Sequence, residues 1–533
     1  MRPRQGFAAH ARVGPWSAWA FWLAALGFAG LALWLGVADR WAGGFDSLQN
    51  LAVARNIAEG RGFTSWVVTQ HTIPVTLPGP ELVRPPGAPY LAALAFALGG
   101  ARPGVALLLS ALLVLLTALA LRAAVRLAGG GWLGDVCGVL LLLSHGDYEL
   151  VSFWNNGLLT ALTAGGILLA VAVARGRIQG VPLAVACALL GGAGFLAKPT
   201  FLLGALPFAV VLLTRGPGAR REPQLGRVVL CLALFAAVSA PYWLRNWLLL
   251  GQPLVLAAPR LAVRYELPSR WQAVALAASH PLSYRDVASR IGWNGIVASE
   301  LRLAGETLLG LLRLGPLAVA GALLALPFLR ARDRWLAGAA GALTLSPLSD
   351  CVYLHPEDRY LWPVLPVLLL VMVLGLLGAK ARAEGSGRGA GLARVTRVVL
   401  PALLVASLAL AVPRAISGFG DDFDEATTDP PDWQPAVAGL PADARVLTWD
   451  APAVAWYARR QAVIAPLGEP EAVARALAYY RPTHVLVEED WFPSAVAAAT
   501  RSFKDRLVPL ARGDDWALYR ISRGPRLAQR FNP

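Results

Sequence analysis

Long apolar runs constrain this chain more than any other feature in it. Crossing a bilayer as a helix takes roughly 20 consecutive apolar residues. Such runs recur at 17–37, 103–127, 132–149, 152–174, 181–198, 199–214, 227–246, 308–329, 335–353, 360–379 and 396–414. That makes about eleven expected spans, and they must be helices, because a single backbone segment in lipid has only itself to hydrogen-bond. A further apolar stretch, 87–100, is too short to span and reads as a re-entrant or interfacial helix. With 56% of its 533 residues hydrophobic and only 15% charged, the chain is too apolar for an ordinary soluble protein. The expected fold class is an α-helical polytopic membrane protein.

The formal net charge of +15 would suit a nucleic-acid partner, but the cations sit in short connectors: Arg122 and Arg126, Arg175 and Arg177, Arg215 to Arg227, Arg330 to Arg334, and Lys380 to Arg397. Those are alternate loops, the pattern that the positive-inside rule produces. Membrane topology accounts for the charge, and no nucleic acid is expected. The same rule places residues 1–16 in the cytoplasm and, with an odd number of spans, the C-terminal tail outside. The first apolar run is long for a signal-peptide core and reads as a retained anchor. Cys137, Cys187, Cys231 and Cys351 fall inside or at the ends of spans without CxxC spacing, and read as small buried hydrophobes.

The membrane part is expected over 17–415, with two long outer loops at about 38–102 and 247–307. In the first loop, Leu48, Leu51, Ala52 and Arg55 recur at helical spacing and predict an amphipathic surface helix over about 46–59, ended by Gly60 and Gly62. The second loop has amphipathic patches and no long span, as a lid or substrate groove would. Beyond a linker at 416–424 the pattern changes. The β-like runs ARVLTW, QAVIAP, THVLVEE and WALYRI alternate with helix-like EPEAVARALAYY and WFPSAVAAATRSF, predicting a small extracytoplasmic α/β accessory domain over 425–533. From residue 421 onward 16 acids face 13 Lys and Arg, so the basic excess belongs to the membrane part. No fixed-period repeat and no matching pair of broken spans is visible, which weighs against the common transporter plans.

One acid, Asp46, stands in the stretch GGFDSLQNLAVARNIAEGRGFTSW. An Asp just ahead of a helix is commonly an N-cap, but its surroundings suggest more. Arg84, Lys198, Arg245 and Arg359 lie at predicted outer ends of apolar segments, where membrane-proximal cations are scarce. One such residue could snorkel to the interface. Four on different segments suit an anion at the membrane surface, and a phosphate matches both the forked donors of Arg and the compact charge of Lys.

A sugar leaving as a phosphate ester needs charge neutralisation more than protonation, so a single general base suffices and a single displacement inverts the anomeric carbon. Glycoside hydrolysis, with its poor alkoxide leaving group, normally needs two carboxylates. Asp46 is therefore the candidate base and the four cations are the candidate donor-phosphate ligands. Arg55, Tyr360, the group His145, Asp147 and Glu149, and the group His355 and Glu357 beside Asp358 are candidate substrate contacts. Neither group has a metal spacing such as HExxH; a divalent ion would be the natural guest, but no metal or other cofactor is predicted. The frequent Trp residues read mainly as interfacial anchors.

With these residues identified, the chain resembles the GT-C superfamily of polytopic glycosyltransferases, in particular relatives of protein O-mannosyltransferases and of the aminoarabinose transferase acting on lipid A. The resemblance covers roughly 15–415 and rests on FDSLQNLAVARNIAEGRGF followed by RPPGAPYLAAL, on GGAGFLAKPTFLLGALP, on PYWLRNWLLLGQPL and on HPEDRYLWPVLPVLLL, in that order. It implies that the acid in the first outer loop, here Asp46, activates the acceptor, and that the donor is a polyprenyl-phosphate sugar. Many relatives carry two adjacent acids at this point; here Ser47 follows Asp46. The resemblance also implies donor-head-group contacts at Arg84, at Lys198, where relatives often have Arg, and at Arg359 with Tyr360. The tail resembles the accessory domain of several relatives.

The expectation is an inverting membrane glycosyltransferase in a bacterial inner membrane, working on the outer face with a polyprenyl-phosphate sugar donor and a glycan, lipid or protein acceptor. A transporter or flippase of lipid-linked sugars would share the spans and a phosphate site, yet its coupling charges belong near the midplane. A non-catalytic envelope assembly subunit, with the tail recruiting a partner, is the third alternative.

Overall fold

The computed structural model describes residues 16–38, 45–68, 77–81, 84–151, 155–215, 225–251, 253, 284–353, 358–384, 390–426, 430–464, 480–488 and 507–522. The chain begins with α1 (Trp16–Ala38) and α2 (Phe45–Ala58). The short strands β1 (Thr64–Ser65), β2 (Val67–Val68) and β3 (Gly79–Pro80) complete the first loop ahead of α3 (Gly87–Gly99). A helical series follows: α4 (Pro103–Ala128), α5 (Leu133–Val151), α6 (Asn155–Ala174), α7 (Gly180–Ala197), α8 (Phe201–Arg215) and α9 (Leu225–Leu250). After it come α10 (Tyr284–Leu314), α11 (Pro316–Ala325), α12 (Ala331–Leu343), α13 (Leu345–Tyr353), α14 (Asp358–Leu361), α15 (Leu365–Ala383) and α16 (Ala390–Ala426). The tail holds α17 (Gln434–Ala438), β4 (Arg445–Thr448), α18 (Ala451–Ala453), β5 (Gln461–Ile464), β6 (His484–Glu488), β7 (Leu507–Arg512) and β8 (Trp516–Ile521).

Among the described residues seven helices are long and apolar enough to cross a membrane: α1, α4, α6, α7, α9, α15 with its leading turn, and α16. The segments Val287–Arg313 and Pro316–Phe328, bent by 93° at their junction, make an eighth if they form one broken span. The expected spans at 132–149 and 199–214 appear as shorter apolar helices, Leu133–Ser144 within α5 and Phe201–Thr214 within α8.

The expected span at 335–353 is broken into α12 and α13 around Thr344. Pro347 accounts for the break: it lacks the N–H that would continue α12, and its ring clashes with the carbonyl four residues back. The expected second outer loop, about 247–307, is described only in part. Its later part is helical, because α10 starts at Tyr284 and runs on through a non-helical Gly292 at φ 72. The reading of a lid or groove concerns the whole of that loop, and its stretch 254–283 lies outside the described residues.

Helix α4 is the hub of the bundle, packing against α1, α3, α5 and α6. Without a hydrophobic drive between helices in lipid, small residues let backbones approach. A Cβ placed on Gly104 would lie 2.0 Å from the carbonyl oxygen of Gly36, so α4 touches α1 backbone to backbone there. At the basic end of the bundle a buried carboxylate gathers three elements. Asp135 accepts from Arg122 Nε at 2.7 Å, Arg126 Nη2 at 2.8 Å and Ser17 Oγ at 2.9 Å, tying α4, α5 and α1. Arg122 also stacks 4.5 Å from the Phe21 ring centroid.

The four β-like runs of the tail form β4, β5, β6 and β8. They are joined by β7 and, less expectedly, by β2 of the first loop, in the order β2-β5-β4-β6-β8-β7. The four strands β2, β5, β4 and β6 are parallel neighbours; β8 and β7 add on antiparallel. Val67 aligns with Ala462 and Val68 with Val463, so one edge of the tail sheet is supplied by residues nearly four hundred positions earlier. The first loop and the tail therefore lie at the same end of the bundle, opposite Asp135.

Candidate active site

The site is built on α2. Asp46 lies inside the first turn of that helix, and its carboxylate is ion-paired with the guanidinium of Arg84 across the first loop. Gln49, one turn on from Asp46 and on the same helix face, accepts from the same guanidinium, from Nε at 3.0 Å and from Nη2 at 2.8 Å. The main-chain N–H of Arg84 donates to Glu81 Oε1 at 2.8 Å. Arg84 is thus held by backbone and side chain at once, with its fork turned along α2. Ser47, Gln49 and Asn50 are buried, and their Oγ, Nε2 and Oδ1 atoms have no hydrogen-bond partner among the described residues. Orphaned polar atoms of this kind cost stability, and a cluster of them calls for a functional reason.

Arg245, on α9, reaches into the same loop from behind. Its Nη2 donates to the carbonyl of Glu81 at 2.7 Å and that of Phe63 at 3.2 Å, and its guanidinium lies 4.7 Å from the Phe63 ring centroid. The ring of Phe63 stacks in turn on Tyr90. This arrangement makes Arg245 a strut for the segment that carries Arg84.

Lys198 closes the other side. Pro199 pushes the preceding residue out of the helical region, and Lys198 accordingly caps α7 in an extended conformation, φ −161 and ψ 119. Its Nζ pairs with Asp350 Oδ2 at 2.8 Å and sits 4.1 Å from the centroid of the Tyr360 ring. The two halves meet through Gly87. A Cβ there would lie 2.7 Å from Ala197 N and 2.8 Å from Ala197 Cα, so the RPPG turn rests directly on the end of α7, one residue before Lys198.

The other candidates divide. Arg55 is buried in a joint with the tail: Nη1 donates to the carbonyl of Trp456 at 2.7 Å, Nη2 to that of Ala455 at 2.6 Å, and the guanidinium lies 5.1 Å from the Trp456 ring centroid. Burial, with Arg459 adding to it, pushes its pKa down to about 10. Arg359 lies on α14, and His145, Asp147 and Glu149 on the last turns of α5, but their side chains are outside the described set, as are residues His355 and Glu357 altogether. Among the described residues no group of three or more His, Cys, Asp or Glu is arranged to hold a metal ion.

Sequence reasoning missed Gln49, Glu81, Gly87, Thr200 and Asp350. For Asp350 a signal was present, since an acid inside an apolar run is by default a functional residue with a partner to be found. Gln49 had only its spacing from Asp46.

This is a multi-pass membrane fold with a polar site at the end where the first loop and the tail meet. The family model described as dolichyl-phosphate-mannose-protein mannosyltransferase matches residues 83–243, which include Arg84 and Lys198. Among solved structures, ArnT from Cupriavidus metallidurans bound to undecaprenyl phosphate is similar at 14% identity and TM-score 0.55, covering 94% of this chain and 98% of its own. The oligosaccharyltransferase AglB from Archaeoglobus fulgidus, in complex with an inhibitory peptide and a dolichol-phosphate, is similar at 12% identity and TM-score 0.50, covering 94% of this chain and 74% of its own. No curated protein matches the chain in sequence.

Proposed function

We propose that the protein is an inverting glycosyltransferase that moves a sugar from a polyprenyl-phosphate donor to an acceptor on the extracytoplasmic face of a bacterial inner membrane. The observation that carries this reading is the meeting of one carboxylate, Asp46, with a phosphate-suited cation, Arg84, on a loop seated against the end of α7 that bears Lys198. The likeness to folds solved with undecaprenyl phosphate and dolichol-phosphate supports a lipid-phosphate donor.

In the proposed reaction Asp46 takes the proton from an acceptor hydroxyl or amine as that atom attacks the anomeric carbon. The new glycosidic bond forms while the bond from that carbon to the phosphate oxygen breaks. Both electrons of the broken bond leave with the polyprenyl phosphate, whose charge is met by Arg84 and Lys198 and, from α14, Arg359. The orphaned polar atoms of Ser47, Gln49 and Asn50 are suited to sugar or acceptor hydroxyls. Arg245 holds the loop, and Arg55 fixes α2 to the tail.

The test is incubation of the purified protein in lipid with a panel of polyprenyl-phosphate sugars and candidate acceptors, followed by stereochemical analysis of the product. Transfer with inversion at the anomeric carbon supports the reading. Movement of the lipid-linked sugar across the bilayer without transfer replaces it with the transporter reading.

A further inference from the structure

A carboxylate inside an apolar helical bundle is expensive unless it is paired and fully hydrogen-bonded. Asp350 is such a group: its side chain is 2% exposed, on α13, where an unbroken apolar span was expected. Each of its oxygens has its own partner. Oδ2 pairs with Lys198 Nζ at 2.8 Å, and Oδ1 accepts from Thr200 Oγ1 at 2.7 Å. The two partners flank Pro199 in the KPT triplet that links α7 to α8. The extended backbone at Lys198 and the rigid ring that follows it leave both side chains available to the one carboxylate.

Two further contacts define the place. The ring of Tyr360 lies against the ammonium, and the backbone before Lys198 bears the RPPG turn through Gly87. A lysine ammonium is a point charge on a four-carbon stem and loses rotamer freedom wherever it is used. Here the carboxylate and the ring hold it in one position at the edge of the Asp46 site.

We propose that Asp350, itself held by Thr200, is a positioning residue of the donor site: it fixes the Lys198 ammonium where a lipid phosphate is bound. This rests on the reading above that Lys198 meets the donor phosphate. Asp350 and Thr200 act only through Lys198, so their loss weakens donor binding and, because the same ammonium meets the charge of the departing phosphate, also slows transfer at saturating donor.

The experiment measures binding of undecaprenyl phosphate to the full-length protein in lipid nanodiscs, with undecaprenol as the phosphate-free control, alongside transfer kinetics. Thr200→Val is the decisive variant, because it keeps shape and leaves the Lys198–Asp350 ion pair in place while Oδ1 loses its donor; Thr200→Ser, which keeps the hydroxyl, and thermal unfolding of each variant separate loss of fold from loss of positioning. Thr200→Val is expected to raise the Kd for undecaprenyl phosphate several-fold and Asp350→Asn by about tenfold, the size of one charge-assisted contact. The donor KM should rise with Kd and kcat should fall by no more than Lys198→Ala lowers it, and both effects should vanish when Thr200→Val is placed in a Lys198→Ala background. Unchanged affinity in Thr200→Val and Asp350→Asn, or an equal effect with and without Lys198, overturns the proposal. If wild type transfers no sugar but the variants still weaken phosphate binding, the transfer reading falls and the positioning role stands. If wild type transfers sugar and the variants bind like it, the reverse holds.

Discussion

Gly87 decides whether the two halves of the site can meet. Its missing Cβ is what allows the RPPG turn to lie on Ala197, and the atoms a methyl would strike are backbone, 2.7 and 2.8 Å away. Backbone cannot swing aside as a side-chain tip can, so Gly87→Ala is expected to destabilise the protein by about 1–3 kcal/mol and to reduce transfer together with donor affinity. Thermal unfolding measured beside donor binding checks this; a variant with wild-type stability and affinity would show that the contact is dispensable. At this scale the sequence was informative about single residues and silent about pairs. Asp46, Arg84 and Lys198 stood out by charge in apolar surroundings. That Arg84 folds back onto Asp46 across 38 positions depends on the path of the loop, which Arg245 and Glu81 set and no local pattern encodes. Asp350 carried a signal, as an acid inside an apolar run, but its pairing with Lys198 and Thr200 across some 150 positions has no local pattern.

At the scale of elements, the joint between α2 and the tail is the feature with most consequence. Arg55 supplies two short hydrogen bonds to adjacent carbonyls and stacks on Trp456, which itself stacks on Phe96 of α3. Arg55→Ala strands both carbonyls and is expected to destabilise the joint by on the order of 3 kcal/mol. Arg55→Lys should recover little of this, since an ammonium lacks the planar fork. Tail cleavage in limited proteolysis, faster in both variants, is the readout, and unchanged resistance would contradict the role.

Behind this joint, Glu488 accepts from Trp433 Nε1 at 2.6 Å, and burial, with Asp450 close by, pushes its pKa up to about 7. Burial likewise raises Asp450 to about 6. Both folded values exceed the ordinary carboxylate range, so the folded tail binds more protons than the unfolded chain between that range and pH 7. Their contribution is fully present below the ordinary carboxylate range and is lost progressively as pH rises from there through about 6 to 7. Hydrogen exchange at β4 and β6 should accordingly be slower, after correction for intrinsic rates, at pH 5 than at pH 8. Slower exchange at pH 8 would contradict the assignment. Four of the tail strands were readable as short β-rich runs between turn residues, whereas β7, Leu507–Arg512, was not. The membership of β2 was not, since two residues carry no period.

For the whole molecule, hydropathy was enough to recognise a polytopic membrane protein, because lipid leaves a spanning segment few options. It was less able to say how the spans divide, since α5 and α8 are shorter than a full crossing and Pro347 interrupts another run. The assembled picture is a bundle whose basic end is tied by Asp135 and whose other end joins the first loop to the tail through Arg55 and to α7 through Gly87, with Lys198 paired to α13 through Asp350. That sharing argues against a tail acting as a detachable recruiting module, because its sheet and the helix bearing Asp46 are one packed unit.

The most direct test of the central claim compares sugar transfer by wild type and Asp46→Asn at saturating donor and acceptor, in lipid, with thermal unfolding showing that both fold alike. Loss of a general base predicts a fall in kcat of about 10²–10⁴-fold, with donor affinity largely kept. Transfer at the wild-type rate in Asp46→Asn would contradict the account and leave Asp46 as nothing more than the partner that holds Arg84 on α2.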